Sequence, residues 1–141
     1  IRQEAQLRPG ALDLLQRVRE QGTKTALVTM SIRRLTEENI ERLEIGKYFD
    51  VVITRDEIPQ RRGKPSPYPY SLAAEQLRVN PKNCCGFEDF PIGVHSIISA
   101  GMTCIAVPSQ YTGRLDFSEA NVVVDSLERI AITDRKVYIQ E

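Results

Sequence analysis

Three short stretches of the sequence carry side chains that could hold an anion beside a cation. They are Thr29, Met30 and Ser31 after one apolar run, Lys64 in a basic loop, and Glu88 and Asp89 at the end of another apolar run. Hydroxyl groups and backbone amides at a helix start bind phosphate oxygens, and a lysine ammonium offsets their charge. A carboxylate pair suits Mg²⁺, which takes few protein carboxylates and adds substrate oxygens. The set favours a phosphate held beside a divalent metal.

Each stretch also has an ordinary structural explanation. Ser31 alone would be the N-cap of the helix that follows it, and Lys64 alone would be a solvated loop lysine. Glu88 and Asp89 alone would begin a helix whose dipole favours acids in its first turn. The chemical interpretation requires all three stretches to reach the same rim of one sheet, where open α/β sheets bind their ligands.

The elements that must position these residues alternate along the chain. Between helical patterns that stop at glycines lie apolar runs rich in Val, Ile and Thr, typical of strands covered on both faces. These runs are 24–30, 49–54, 84–89, 103–109 and 121–125. The alternation predicts an α/β fold of the Rossmann-like type, with a mostly parallel sheet and helices on both faces.

The chain is short enough that a single domain is the simplest organisation. We place residues 1–132 in one α/β core and treat residues 133–141 as a polar C-terminal tail that could add an edge strand. The run "SLERIAI" (126–132), which precedes the tail, is predicted to form a last helical turn or two.

Composition argues against several classes of partner. Nineteen basic and nineteen acidic residues cancel, so neither nucleic acid nor an anionic membrane surface would attract the chain. No apolar run approaches the roughly 18 residues of a membrane span. The three cysteines lack metal-ligand spacing and are expected to be reduced core thiols of a cytoplasmic protein, with a redox role for Cys84 and Cys85 as the alternative. The single histidine, His95, is expected at the surface rather than as a base.

In order along the chain, the motifs resemble those of the haloacid dehalogenase-like (HAD) superfamily, in the branch of β-phosphoglucomutase and phosphoglycolate phosphatase. "ALVTMS" is similar to the second motif of that family, with Thr29 as the phosphate-binding hydroxyl. "GKPSPYPY" is similar to the third motif, with Lys64 as its lysine. "GFEDFPIGVHSIISAGM" is similar to the fourth, with Glu88 and Asp89 as the metal-side acids and Gly93 in the helix behind them.

The resemblance covers roughly residues 7–125 and includes three small departures. Met30 stands where many relatives have Asn or another small or polar residue. Tyr68 replaces a frequent acid after the lysine motif, and Phe90 replaces a common Ser or Thr after the acid pair. None of these changes removes a group with a direct chemical role.

The large departure is a motif that this sequence does not contain. HAD proteins begin with an apolar strand that ends in Asp-x-Asp-Gly-Thr, whose first Asp is the nucleophile and whose second is the general acid/base. A cap domain follows it. In the family fold that strand lies between the strand before Thr29 and the strand before Glu88. Because unpaired central edges are costly, we expect a C-terminal portion of a longer protein, or else a gap filled by a partner, by the tail or by a neighbouring chain.

The resemblance implies the core segment of a Mg²⁺-dependent phosphatase or phosphomutase that acts on a small phosphorylated metabolite through an aspartyl-phosphate intermediate. It assigns the site as follows: Thr29 and Lys64 catalytic and phosphate-binding, Met30 and Ser31 phosphate-binding, and Asp89 and Glu88 metal-binding. Without its nucleophile the chain would not turn over. Two alternatives stay open at this point: a non-catalytic or regulatory module that keeps the phosphate and metal cradle, and a plain interaction domain.

Overall fold

The computed structural model describes residues 4–141, so the first three residues of the predicted core lie outside it. The helices in this range are α1 (Ala11–Glu20), α2 (Arg33–Arg42), α3 (Tyr68–Leu77) and α4 (Pro91–Ser99). The strands are β1 (Ala26–Val28), β2 (Val51–Ile53), β3 (Cys85–Glu88), β4 (Thr103–Ala106), β5 (Val122–Val123), β6 (Ile130–Thr133) and β7 (Lys136–Ile139). No helix of this described part is long and apolar enough to cross a membrane.

The parallel strands form two groups. β1 pairs with β2, while β4 lies between β3 and β5, and every one of these pairings is parallel. β1 and β3 are not hydrogen-bonded to each other, and each has one edge without a strand partner within residues 4–141. The predicted α/β class with a mostly parallel arrangement is confirmed, but the sheet is split between β1 and β3.

Successive side chains of β4 enter two different cores, as the alternation of a strand requires. Cys104 and Ala106 pack in the core that contains residues of α3 and α4. Ile105, with Val107 just beyond the strand, packs in the core that contains residues of α1. Helices therefore cover both faces of this half of the sheet, as predicted.

The start of α4 fixes the chain where β3 ends. Phe90, in an extended conformation, is the N-cap residue, and Pro91 occupies the first turn of the helix. Proline is favoured there because its missing amide would have had no partner in the helix. Val94 and Ile97 are buried and anchor the helix. The two acids at the end of β3 are thereby held at the carboxyl edge of the strand.

The segment after β5 differs from the prediction. Residues 126–132 were expected to form helical turns, but a 3₁₀ turn, Leu127–Arg129, leads directly into β6. A β-hairpin forms here instead of a helix, and it buries Ile130 against α1. Asp134 and Arg135 both have positive φ angles, 50° and 59°, as a tight two-residue hairpin turn requires.

The predicted polar tail supplies the second strand of this hairpin. β7 pairs antiparallel with β6, and Val137 and Ile139 pack in the core that contains α1. The idea that the tail fills the gap in the parallel sheet is therefore wrong, because its strand lies over α1. The predicted division between residues 132 and 133 falls inside the hairpin.

Candidate active site

A cavity of about 460 Å³ lies at the split in the sheet. Its wall includes Leu27 and Val28 from β1 and Phe87 and Glu88 from β3. The cavity is thus bordered by β1 and β3 along the edge of each strand that has no strand partner within residues 4–141. It also opens at the carboxyl ends of these parallel strands, where α/β sheets bind their ligands.

Most of the residues predicted from the sequence meet at this cavity. Its lining contains Thr29, Met30, Lys64, Glu88 and Asp89. Ser31 is exposed and outside the lining, although its amide donates a hydrogen bond to Thr29 Oγ1 (3.1 Å). The N-cap position of α2 is Ile32, so the alternative role of Ser31 as that N-cap is wrong.

Lys64 and Glu88 form a buried ion pair in the cavity wall. Lys64 Nζ contacts Glu88 Oε1, and the two side chains are only 10% and 7% exposed. Nζ also donates a hydrogen bond to the carbonyl of Val28 (3.4 Å). Because little water reaches either charge, removing one partner would leave the other buried without compensation.

Tyr70, on α3, contacts both members of this pair. Its hydroxyl donates a hydrogen bond to Glu88 Oε1, and Lys64 Nζ lies 5.1 Å from the centroid of its ring. Burial raises the pKa of Tyr70, and the neighbouring charge of Glu88 raises it further. The phenol is therefore a protonated hydrogen-bond donor at any ordinary pH.

Gly93, on α4, allows the Glu88 carboxylate to lie directly against that helix. A Cβ atom at this position would overlap the carboxyl atoms of Glu88. The glycine is needed for this close approach, since its own φ angle is not in the left-handed region. Glu88 is consequently enclosed by Lys64, Tyr70 and the helix backbone.

Asp89 differs from its neighbour because no ion pair or side-chain hydrogen bond engages its carboxylate within residues 4–141. Among the ion pairs of residues 4–141 there is none to Asp89, although it lines the cavity. The described residues contain no group of three or more His, Cys, Asp or Glu side chains that could hold a metal ion. Two carboxylates fit Mg²⁺ only as part of its shell, with the remaining ligands from water and phosphate oxygens. That is a common arrangement for this ion.

Two residues of the site were not predicted. Arg8 lines the cavity, and its guanidinium donates hydrogen bonds to the carbonyls of Val107 and of Pro108 (2.9 Å to the latter) just after β4. Nothing in the sequence around Arg8 indicates this contact. Tyr70 had a usable signal, because a phenol on the apolar face of a helix needs a polar partner.

The histidine and the cysteines lie outside the cavity lining. His95 Nδ1 is 2.8 Å from Glu119 Oε2, and both side chains are about half exposed. Burial raises the pKa of Cys85 to about 11 and that of Cys104 to about 12. Thiols with such pKa values are poor nucleophiles at neutral pH, which supports their interpretation as core residues.

Comparisons with known proteins agree with this geometry. The model of the haloacid dehalogenase-like hydrolase family matches residues 1–101. The chain is 36% identical over 127 residues to a CBBY-like protein of Arabidopsis thaliana, covering 86% of this chain and 38% of that protein. It is also 36% identical over 129 residues to hexitol phosphatase A of Escherichia coli, covering 89% of this chain and 56% of that protein.

Solved structures show the same relationship. The crystal structure of CbbY from Rhodobacter sphaeroides in complex with phosphate has a TM-score of 0.81 and 30% identity, covering 86% of this chain and 55% of that one. A mutant of the same protein, in complex with xylulose-(1,5)-bisphosphate, matches equally well. The chain thus spans roughly 40–55% of the length of these relatives. It belongs to the haloacid dehalogenase-like hydrolase family.

Proposed function

We propose that this chain is the core segment of a Mg²⁺-dependent phosphatase or phosphomutase that acts on a small phosphorylated metabolite. The observation that carries the proposal is the convergence of Thr29, Lys64 and Asp89 on one cavity. A hydroxyl, an ammonium and a free carboxylate supply the positioning and charge neutralisation on which phosphoryl transfer depends. The names of two relatives, a hexitol phosphatase and a CbbY with bound phosphate, support the same substrate class.

Thr29 and Lys64 are the proposed phosphate ligands, together with the turn of Met30 and Ser31. Thr29 Oγ1 accepts a hydrogen bond from the Ser31 amide, so its own proton is free to donate to a phosphoryl oxygen. The Lys64 ammonium has three protons and donates to Glu88 and to the Val28 carbonyl. One proton is left for the substrate.

Asp89 is the proposed direct ligand of Mg²⁺. Glu88 would contribute through its second oxygen or through a water molecule, because Lys64 and Tyr70 already occupy Oε1. Bound Mg²⁺ would offset negative charge on the phosphoryl oxygens. Asp89 would then act by fixing the position of that charge relative to Lys64.

The proposed nucleophile is an Asp from a segment outside this chain, most simply the preceding part of the same protein. The split between β1 and β3, with both unpaired edges along the cavity, supports a strand entering there. An Asp at its carboxyl end would lie beside Thr29 and Asp89 and would carry the phosphoryl group as an aspartyl phosphate. The 141-residue chain alone would then have no phosphatase or phosphomutase turnover.

The cytoplasmic location of the protein stays a prediction.

The test compares the longer protein, extended upstream from Ile1 in its own reading frame, with the 141-residue chain. Phosphate release is measured from a panel of sugar phosphates and other small phosphate esters, with Mg²⁺ or with EDTA. We expect Mg²⁺-dependent turnover by the longer protein and none by residues 1–141. A longer protein that binds phosphate and Mg²⁺ without turnover would instead establish the non-catalytic module.

A further inference from the structure

We propose that Tyr70 is a positioning residue, which holds Glu88 so that the ammonium of Lys64 stays directed into the cavity. This inference rests on the phosphoryl-transfer function proposed for the site. Tyr70 itself does not line the cavity, so it would act only through its two neighbours. Its hydroxyl contacts one of them and its ring faces the other.

Both partners of Glu88 use a single oxygen of its carboxylate. The Lys64 ammonium and the Tyr70 hydroxyl both bind Glu88 Oε1. Oε2 accepts no hydrogen bond within the described residues. Among the described residues, Thr23 Oγ1 is the one fully buried side-chain oxygen that has no hydrogen-bond partner. Because Glu88 Oε2 also has no partner but is not in that class, it retains some contact with solvent. Glu88 is thus held asymmetrically, because Oε1 accepts both contacts while Oε2 lies against α4 and accepts none within residues 4–141.

The asymmetric contacts of Glu88 determine where the Lys64 ammonium lies. An ammonium that faces a free carboxylate is attracted to both of its oxygens. Without another partner for Glu88, this attraction would move Lys64 Nζ toward Glu88 and away from the cavity. A phenol that occupies Oε1 shares the negative charge and stops the carboxylate from turning, since hydrogen bonds to charged groups are among the stronger ones. The ring of Tyr70 adds a second restraint at 5.1 Å from Nζ. Lys64 Nζ is therefore held in position while its remaining proton can still be donated to a ligand in the cavity.

Burial of Tyr70 and Glu88 makes these contacts rigid. Tyr70 is 7% exposed and packs in the core with Val94 and Ile97 of α4. Gly93 of the same helix lies against the Glu88 carboxylate. α3 thus carries the phenol, while α4 packs with its ring in the core and lies against the Glu88 carboxylate, so the hydrogen bond is held in place by packing.

A second buried tyrosine provides a matched control. Tyr48 is 8% exposed, and within residues 4–141 its hydroxyl has one long contact, at 3.4 Å from Gln16 Nε2. It lies outside the cavity lining. Tyr48→Phe and Tyr70→Phe remove the same atom from equally buried rings, but only the second removes a hydrogen bond to the ion pair.

The experiment measures kcat and KM of the longer protein with its best phosphate ester. We expect Tyr70→Phe to lower kcat about tenfold while KM changes less than about threefold, because the misplaced ammonium matters most in the transition state. Tyr48→Phe should leave kcat within about twofold. Thermal unfolding of each variant identifies any loss of folded protein.

A double-mutant cycle separates positioning from general destabilisation. If Tyr70 acts through Glu88, Tyr70→Phe should change kcat by less than about twofold in a Glu88→Ala background, which has no acceptor for the Tyr70 hydroxyl. The inference would be overturned if Tyr70→Phe lowered kcat equally in the original protein and in the Glu88 variant, or if it left kcat of the original protein unchanged. Either result would leave the proposed function standing. A longer protein without any turnover would overturn the proposed function and this inference with it.

Discussion

The ion pair between Lys64 and Glu88 joins the two halves of the split sheet. Lys64 comes from the loop before α3 and also donates a hydrogen bond to the Val28 carbonyl of β1 (3.4 Å). Glu88 is the last residue of β3. The same side chains that would serve the chemistry therefore hold the walls of the cavity together, which couples stability to function at this site.

This coupling predicts that Lys64→Met destabilises the protein strongly. The substitution keeps most of the apolar stem but leaves the Glu88 carboxylate buried without its cation. We expect the free energy of unfolding, measured by urea denaturation of the longer protein, to fall by about 3 kcal/mol.

The matched control for this change is an exposed pair. Arg34 and Glu38 are 2.7 Å apart on α2, with side chains 68% and 55% exposed. Arg34→Met should change the free energy of unfolding by no more than about 0.5 kcal/mol. Equal effects of the two substitutions would show that the Lys64 pair is not buried in solution.

Gly93→Ala is predicted to destabilise although it places a better helix former in α4. Alanine should gain about 1 kcal/mol over glycine inside a helix. The new Cβ would meet the Glu88 carboxylate, and such overpacking costs about 1–3 kcal/mol. We expect a net loss in thermal unfolding experiments and a lower kcat.

Gly113→Ala serves for comparison, since the nearest atom to a Cβ there is the Ser109 carbonyl oxygen at 3.4 Å. It should leave both stability and kcat nearly unchanged. A Gly93→Ala protein that is more stable than the original would mean that Glu88 does not lie against α4.

Amide hydrogen exchange should reveal a strand between β1 and β3. The Thr29 amide bonds to β2, and the Glu88 carbonyl accepts from the chain after β4. Because neighbouring residues of a strand face opposite sides, the amides of Val28 and Phe87 face the open edges. We expect both to exchange rapidly in the 141-residue chain and slowly in the longer protein.

The amides of Leu27 and Gly86 provide the internal reference, because by the same alternation they face the paired strands β2 and β4. They should be protected in both proteins. If the amides of Val28 and Phe87 exchange rapidly in the longer protein as well, no strand fills the gap and the proposed source of the nucleophile is wrong.

The sequence predicted the positions of the parallel strands well, because apolar runs of this kind are a strong local signal. The run 24–30 contains β1 and the run 84–89 contains β3. The failure at 126–132 has a physical cause. Its short apolar pattern fits a helical turn or a strand equally well, and the choice depends on a hairpin partner and on burial of Ile130 against α1.

The sequence indicated which residues meet at the cavity but not how they contact one another. Thr29, Lys64 and Asp89 could be found because each follows a strand or lies in a recognisable motif. The pairing of Lys64 with Glu88 could not, since the two residues are 24 positions apart and meet only through the path of the loop before α3. A sequence also does not show which of the two Glu88 oxygens accepts a hydrogen bond. The contact of Tyr70 with Oε1 is therefore visible only in the structure.

Asp89 is the proposed free carboxylate of a magnesium-dependent phosphoryl-transfer site. The most direct measurement is kcat/KM of the longer protein, with Mg²⁺ and a phosphate ester, before and after Asp89→Asn. Asp125→Asn is the control, because Asp125 is 80% exposed and its nearest cation, on Arg129, is 3.6 Å away. We predict a loss of about 100-fold or more for Asp89→Asn and no loss for the control. If Asp89→Asn left kcat/KM unchanged, Asp89 would not be a ligand of the magnesium ion that the reaction requires.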